Sequence, residues 1–190
     1  MLEIDAFNIC LRSAGLRRIS TIDLDDQQTA DLDEIINQQK RQIQIDGWPF
    51  NMDRLDLVPV GGVIDVSGFL RVELPFGLSV LDGKVYDPRN RVFWDEALNE
   101  IWVVNDRQFS DLPELFQEWL ARRSATRFVN SISGPDDTWQ AAQLRETEAF
   151  VLFNGSDDAH WDPQVLWERR ARTNPISGAI DGPAFGRRRF

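Results

Sequence analysis

The apolar period of this chain changes twice, and that switch constrains the fold more than any single residue does. Up to about residue 46, apolar residues recur at three- and four-residue spacing, as one face of a helix requires. Ile4, Phe7, Leu11 and Ala14 form the first set, closed by Gly15 as a helix end. Leu32, Ile35, Ile36 and Ile43, with the polar Gln39 on the same face, form the second, over residues 25–46. Asp23, Asp25 and Asp26 stand at its start, where the helix dipole favours negative charge, and Gly47 and Pro49 stop it. From 52 to 110 the chain reads as short strands: LDLVPV, VIDVSGFLRVEL, LSVLDGKVYD, RVFW and NEIWVVN. Asp82-Gly83 accepts the positive φ angles of a two-residue hairpin, and Pro59 with Gly61-Gly62 marks a bend or sheet edge.

Helical spacing then returns. Asp111 is expected to cap, Pro113 to occupy a first turn and Glu114 to complete a capping box. Leu112, Phe116, Trp119, Leu120 and Phe128 supply a buried stripe. After Gly134-Pro135, Asp136-Asp137 starts a fourth helix with Trp139, Ala142, Ala149, Phe150 and Phe153 on one face, ended by Asn154-Gly155. The expected class is α+β. N- and C-terminal helices (1–51 and 111–155) form one antiparallel bundle. A small antiparallel β-sheet of four to six strands is inserted at 52–110, and an extended C-terminal arm follows at 156–190.

Charge limits the partners. The net charge is −10, but residues 160–190 hold six Arg against three acids. The acidic body argues against wrapping nucleic acid, which needs clustered Lys and Arg. The basic arm is suited to an acidic surface on a neighbouring copy. Its interface candidates are Trp161, Trp167, Arg169, Arg170, Arg187, Arg188 and Arg189, and Trp161, Val165, Leu166 and Trp167 are placed to form a short docked turn. Seven Trp and twelve Phe exceed what surface chemistry needs. Most must be core, with a minority at interfaces. The N-terminus lacks a signal-peptide pattern, and no stretch approaches the ~20 apolar residues of a membrane span. Cys10, the only cysteine, reads as a buried, inert thiol in a chain made in a reducing cytoplasm.

The search for chemistry returns little. His160 is the only histidine, so a two-His metal site is excluded and any Ser-His-Asp triad would have to use it. No GxGxxG or Walker-type phosphate loop occurs. The Asp23–Asp26 cluster lacks the glycine and terminal Glu of a calcium loop. Asp65, Glu73, Asp95 and Glu100 are candidates for the carboxylate pair of a polysaccharide hydrolase. With 31 acids in the chain, such pairs arise by chance. The residues thus point to a chain that binds other proteins, copies of itself included, with no catalytic residue, cofactor or metal.

Several stretches, taken in order, resemble the tail tubular protein A family, the adaptor proteins of short-tailed phages. They are ISTID followed by a helix closing in RQIQIDGWPFN, then Lys84-Val85-Tyr86-Asp87 with an Ile-Trp-Val-Val strand. FSDLPELFQEWLARRSATRF and the Glu-bearing helix around Arg145–Ala149 complete the order. The match covers roughly 3–155. Ser131 stands where a basic residue is common in the family, the acidic run near Glu146 is shorter, and the arm after 160 has no counterpart. The resemblance implies a virion structural protein forming a dodecameric ring between the portal protein and the tail nozzle (tail tubular protein B). Tail fibres are a further contact, and viral DNA passes through the lumen without specific binding. Trp48, Phe50, Tyr86, Phe116, Trp119 and Phe128 are the structural positions in the matching stretches.

Overall fold

The structure, a computed structural model, describes residues 1–160. They fold as a mixed α/β chain in two compact units, one of residues 1–52 with 104–160 and the other of residues 53–103. The first unit contains α1 (Glu3–Ser13), α2 (Gln27–Gln44), α3 (Glu114–Ser133) and α4 (Asp137–Asn154). The second contains most of β1 (Met52–Leu57) and β6 (Leu98–Val104), with β2 (Arg71–Glu73), β3 (Ser79–Leu81), β4 (Lys84–Asp87) and β5 (Val92–Phe93).

In the helical unit α3 is central, and α1, α2 and α4 all pack on it. Each boundary has a local cause. Gly15, at φ 72°, lets its own N–H reach the Arg12 carbonyl and the Leu16 N–H reach the Leu11 carbonyl, so α1 ends in a Schellman motif. Asn8 then pins the following link, exchanging two hydrogen bonds with the backbone of Ile19 at 2.8 and 3.0 Å. Asp26 caps α2, accepting from the Thr29 N–H and hydroxyl at 2.9 Å each. The Thr29 N–H, followed by the hydroxyl, holds its carboxyl below the ordinary range. The acidic cluster therefore serves as a helix start.

Two sequence expectations shift here. Asp111 does not cap α3. It ends a 3-10 turn (Phe109–Asp111), and the helix begins only after Pro113, which supplies no side-chain cap. A residue before proline is driven to extended backbone, and Leu112 sits there at φ −80°, ψ 147°. On α4 the buried residues are Ala142, Ala149 and Phe153, while Trp139 is half-buried and Phe150 is exposed at 38%. Phe150 lies at the edge of the buried face, its ring 5.0 Å from Trp119.

Two apolar clusters fill the helical unit. One joins Ile43, Leu112, Phe116, Trp119, Leu120 and Phe153. The other joins Phe7, Cys10, Leu11, Leu32, Ile36 and Phe128. Cys10 is fully buried, its sulfur 3.6 Å from the Ala121 carbonyl. Burial pushes the thiol up to about 12 from 9.0. The folded value lies above the unfolded one, so the stability this group contributes is complete below pH 9 and is lost as pH rises toward 12. Alkaline unfolding should show a slope from this group of about 1.4 kcal/mol per pH unit in that window, absent from the Cys10→Ala chain. Native protein should also resist a thiol reagent at pH 8 that labels the unfolded chain rapidly. Equal labelling rates would refute the burial argument.

In the β unit the six strands divide between two three-stranded antiparallel sheets, ordered β1-β6-β2 and β3-β4-β5, where one sheet was expected. β3 and β4 form the hairpin that Asp82-Gly83 encodes, with Leu81 opposite Lys84 and both turn residues at positive φ (51° and 70°). A Cβ on Gly83 would also stand 2.8 Å from the Ser67 Cβ, so glycine is required twice over. The VIDVS segment is not a full strand. It meets β4 through a bridge from Asp65 to Lys84, with the Val85 N–H donating to Ile64 and the Val66 N–H to Gly83. This contact delivers Ile64 and Val66 to the core of Leu57, Val85, Leu98, Ile101 and Val103.

Candidate protein-contact surface

Trp48, Phe50, Phe116, Trp119 and Phe153 of the helical unit converge on one point. Trp48 donates its indole N–H to the Ile43 carbonyl at 2.8 Å, and its ring centroid lies 5.0 Å from Phe153, 6.0 Å from Trp119 and 6.2 Å from Phe116. Phe50 meets Phe116 edge-on at 4.8 Å. Trp119 stacks on Phe153 at 5.5 Å. Phe128 belongs to the other cluster, beside Cys10 and Leu32. Tyr86 lies in the β unit, its ring 5.7 Å from Phe93. Trp161, Trp167, Arg169, Arg170, Arg187, Arg188 and Arg189 lie outside the described residues.

The four carboxylates singled out in the sequence have mostly local partners. Asp65 accepts from the Ser67 N–H at 2.9 Å, and this bond above all holds its carboxyl below the ordinary range. A general acid needs the opposite shift. Glu73 pairs with Arg71 at 3.1 Å and Glu100 with Arg54 at 2.8 Å, while Asp95 is exposed. The Glu100 N–H donates to Asp56 at 2.7 Å, which helps hold that residue at its unusual φ of 54°. His160 is exposed and bonded to the Ser156 carbonyl at 2.8 Å. Among the described residues no group of three or more His, Cys, Asp or Glu could hold a metal ion, and no helix is long and apolar enough to cross a membrane.

The surface that sequence reading missed is on α4. Leu144, Val151 and Leu152 are 65%, 63% and 64% exposed. At 3.6 residues per turn, Leu144 and Val151 lie one heptad apart on the side opposite Ala142, Ala149 and Phe153. The helix is thus apolar on two sides, with only one covered. A helix apolar all round is normally buried all round. Thr147 and Glu148 complete a shallow depression with Val151 and Leu152.

Beside this stripe a groove of about 720 Å³ is lined by Arg12, Glu118, Arg122, Arg145, Glu148 and Leu152. Arg122 is tied to Glu118 at 2.7 Å. Arg12 and Arg145 make no ion pair among the described residues. Exposed apolar side chains flanked by uncommitted charges of both signs are suited to holding another chain, with burial supplying affinity and charge supplying register. The signal was present in the sequence as the i, i+7 pair Leu144 and Val151. The stronger pattern of Ala142, Ala149 and Phe153 masked it.

A closed helical body with an inserted β unit and an uncovered apolar helix face has the build of an assembly protein. The chain matches the tail tubular protein family over residues 4–163, and it belongs to that family. It is similar to tail tubular protein A of Klebsiella phage KP34, with 23% identity over 159 residues, covering 77% of this chain and 82% of that protein. It is a structural protein of a phage tail.

Proposed function

We propose that this chain is a ring-forming adaptor, dodecameric in the particle, that joins the portal vertex to the tail nozzle and lines the DNA exit channel. The observation that carries the reading is the uncovered apolar face of α4 in a member of a tail-building family. A ring requires each copy to present two different, complementary surfaces, so that head-to-tail contacts close on themselves. The helical part (1–51 and 111–155) faces the portal protein and neighbouring copies. The insertion (52–110) contributes the wall and contacts the nozzle and the tail fibres. The arm (156–190) braces the assembly. A chain with a net charge of −10 repels phosphate, which suits a conduit that must release DNA.

The test mixes the purified chain with portal protein and images the product by electron microscopy. Rings seated on the portal are expected, with particle mass rising accordingly. A chain that stays monomeric and binds neither portal nor nozzle protein overturns the proposal.

A further inference from the structure

We infer that the outer face of α4 is the receptor for the C-terminal arm of a neighbouring copy. Trp161, Val165, Leu166 and Trp167 of one chain cover Leu144, Val151 and Leu152 of the next. The inference deepens the ring reading and rests on its premise that copies of this chain meet.

Three observations select this occupant. The first is apolar matching. The α4 stripe exposes three large aliphatic side chains at 63–65%, and residues 161–167 of the arm carry two Trp, a Val and a Leu. Aromatic side chains seated on aliphatic ones form the energetic centre of many interfaces.

The second is charge. Residues 137–160 hold five acids (Asp137, Glu146, Glu148, Asp157 and Asp158) against one arginine. Residues 161–190 hold six arginines against three acids. Asp137 and Glu148 lie on the exposed side of α4 with Leu144, where Arg169, Arg170 and Arg172 can reach them. Arg145, on the flank of the same face, suits Asp162 or Glu168.

The third is where the chain leaves the described fold. The last turn, Asp157–Ala159, packs on the inner side of the helix end, with Ala159 against the cluster of Trp48, Phe50 and Phe153. The uncovered stripe is on the opposite side of α4. The described chain therefore ends on the side of α4 away from its own stripe. The thirty residues 161–190 span up to about 100 Å when extended, enough to reach an adjacent copy. An arm handed from each copy to the next is a head-to-tail contact, the kind a ring uses.

The experiment uses full-length chains. Cys10 is the only cysteine and is buried, so an added cysteine is the only reactive one. One preparation carries Thr147→Cys, beside the stripe, and a second carries Gln164→Cys, within the covering segment but outside its apolar set. They are mixed and treated with a short bis-maleimide, both as concentrated free protein and in portal-loaded particles. A cross-linked pair containing one chain of each kind is expected. Adding Leu144→Glu to the first chain should lower its yield about tenfold or more, with the melting temperature of that chain essentially unchanged. Absence of the mixed pair in both settings overturns the inference, whatever the particles look like. A double variant, Thr147→Cys with Gln164→Cys, that cross-links only within one chain also overturns it, by placing the arm on its own helix. Loss of portal binding with the mixed pair retained would instead overturn the adaptor reading and leave the arm contact standing.

Discussion

Phe116→Ala should lower the stability of the helical unit by about 3–5 kcal/mol, the range for emptying a buried phenylalanine site. Phe116 is 0% exposed, and its ring contacts Trp48, Phe50, Trp119 and Phe153. These are edge-to-face contacts at 4.8–6.2 Å, which aromatic pairs favour beyond the area they bury. Four large rings cannot close the space left by a fifth without leaving their rotamers. For a chain of this size the loss corresponds to a fall of roughly 10 °C or more in the melting temperature followed by circular dichroism. Phe116→Leu should recover part of it. Trp48→Ala should cost less, because Trp48 is only half-buried, although it also strips the Ile43 carbonyl of its indole donor. An unchanged melting temperature for Phe116→Ala would show that the cluster is not the core of the helical unit.

The parts of this fold that were legible in the sequence are those where local chemistry and tertiary packing agree. The Asp82-Gly83 hairpin is specified by two residues that tolerate positive φ, and nothing distant overrides them. Gly15 and Asp26 bound their helices for equally local reasons. The errors arise where two local signals compete or where the deciding contact is distant. Asp111, Pro113 and Glu114 look like a capping box, but the extended backbone that Pro113 imposes on Leu112 moves the helix start past Asp111. The division into two sheets depends on strands as short as two residues, whose pairing no periodicity reveals. The contact surface was the hardest part to see. Exposed Leu144 and Val151 have the same spacing as core residues, and only the packing of α4 on α3 shows which side faces out.

Asn51→Ala should be nearly as damaging as the loss of Phe116, for a different reason. Asn51 is fully buried and saturates its amide. Its Oδ1 accepts from the Trp48 N–H at 2.8 Å, and its Nδ2 donates to the Gln44 carbonyl at 2.9 Å and the Asn105 carbonyl at 3.2 Å. Gln44, also fully buried, continues the network, accepting from the Arg107 N–H at 2.9 Å and donating to the Arg107 carbonyl at 3.1 Å. These two amides fasten the end of α2 to the segment that leads into α3. They explain the RQIQIDGWPFN stretch in physical terms: Gln44 and Asn51 are the clamp, Gly47 makes the turn at φ 80°, and Trp48 and Phe50 anchor it. Truncation to alanine strands one buried donor and weakens two acceptors, a loss of about 2–4 kcal/mol in denaturant unfolding. Asn51→Asp separates packing from hydrogen bonding. Its shape is conserved and it still accepts from Trp48, but as a carboxylate it faces two carbonyls with no proton to give. Burial and those carbonyls raise its folded pKa above the unfolded value. The variant's deficit should therefore be largest at neutral pH and shrink as pH falls toward about 4. A deficit independent of pH would mean that the amide only fills space.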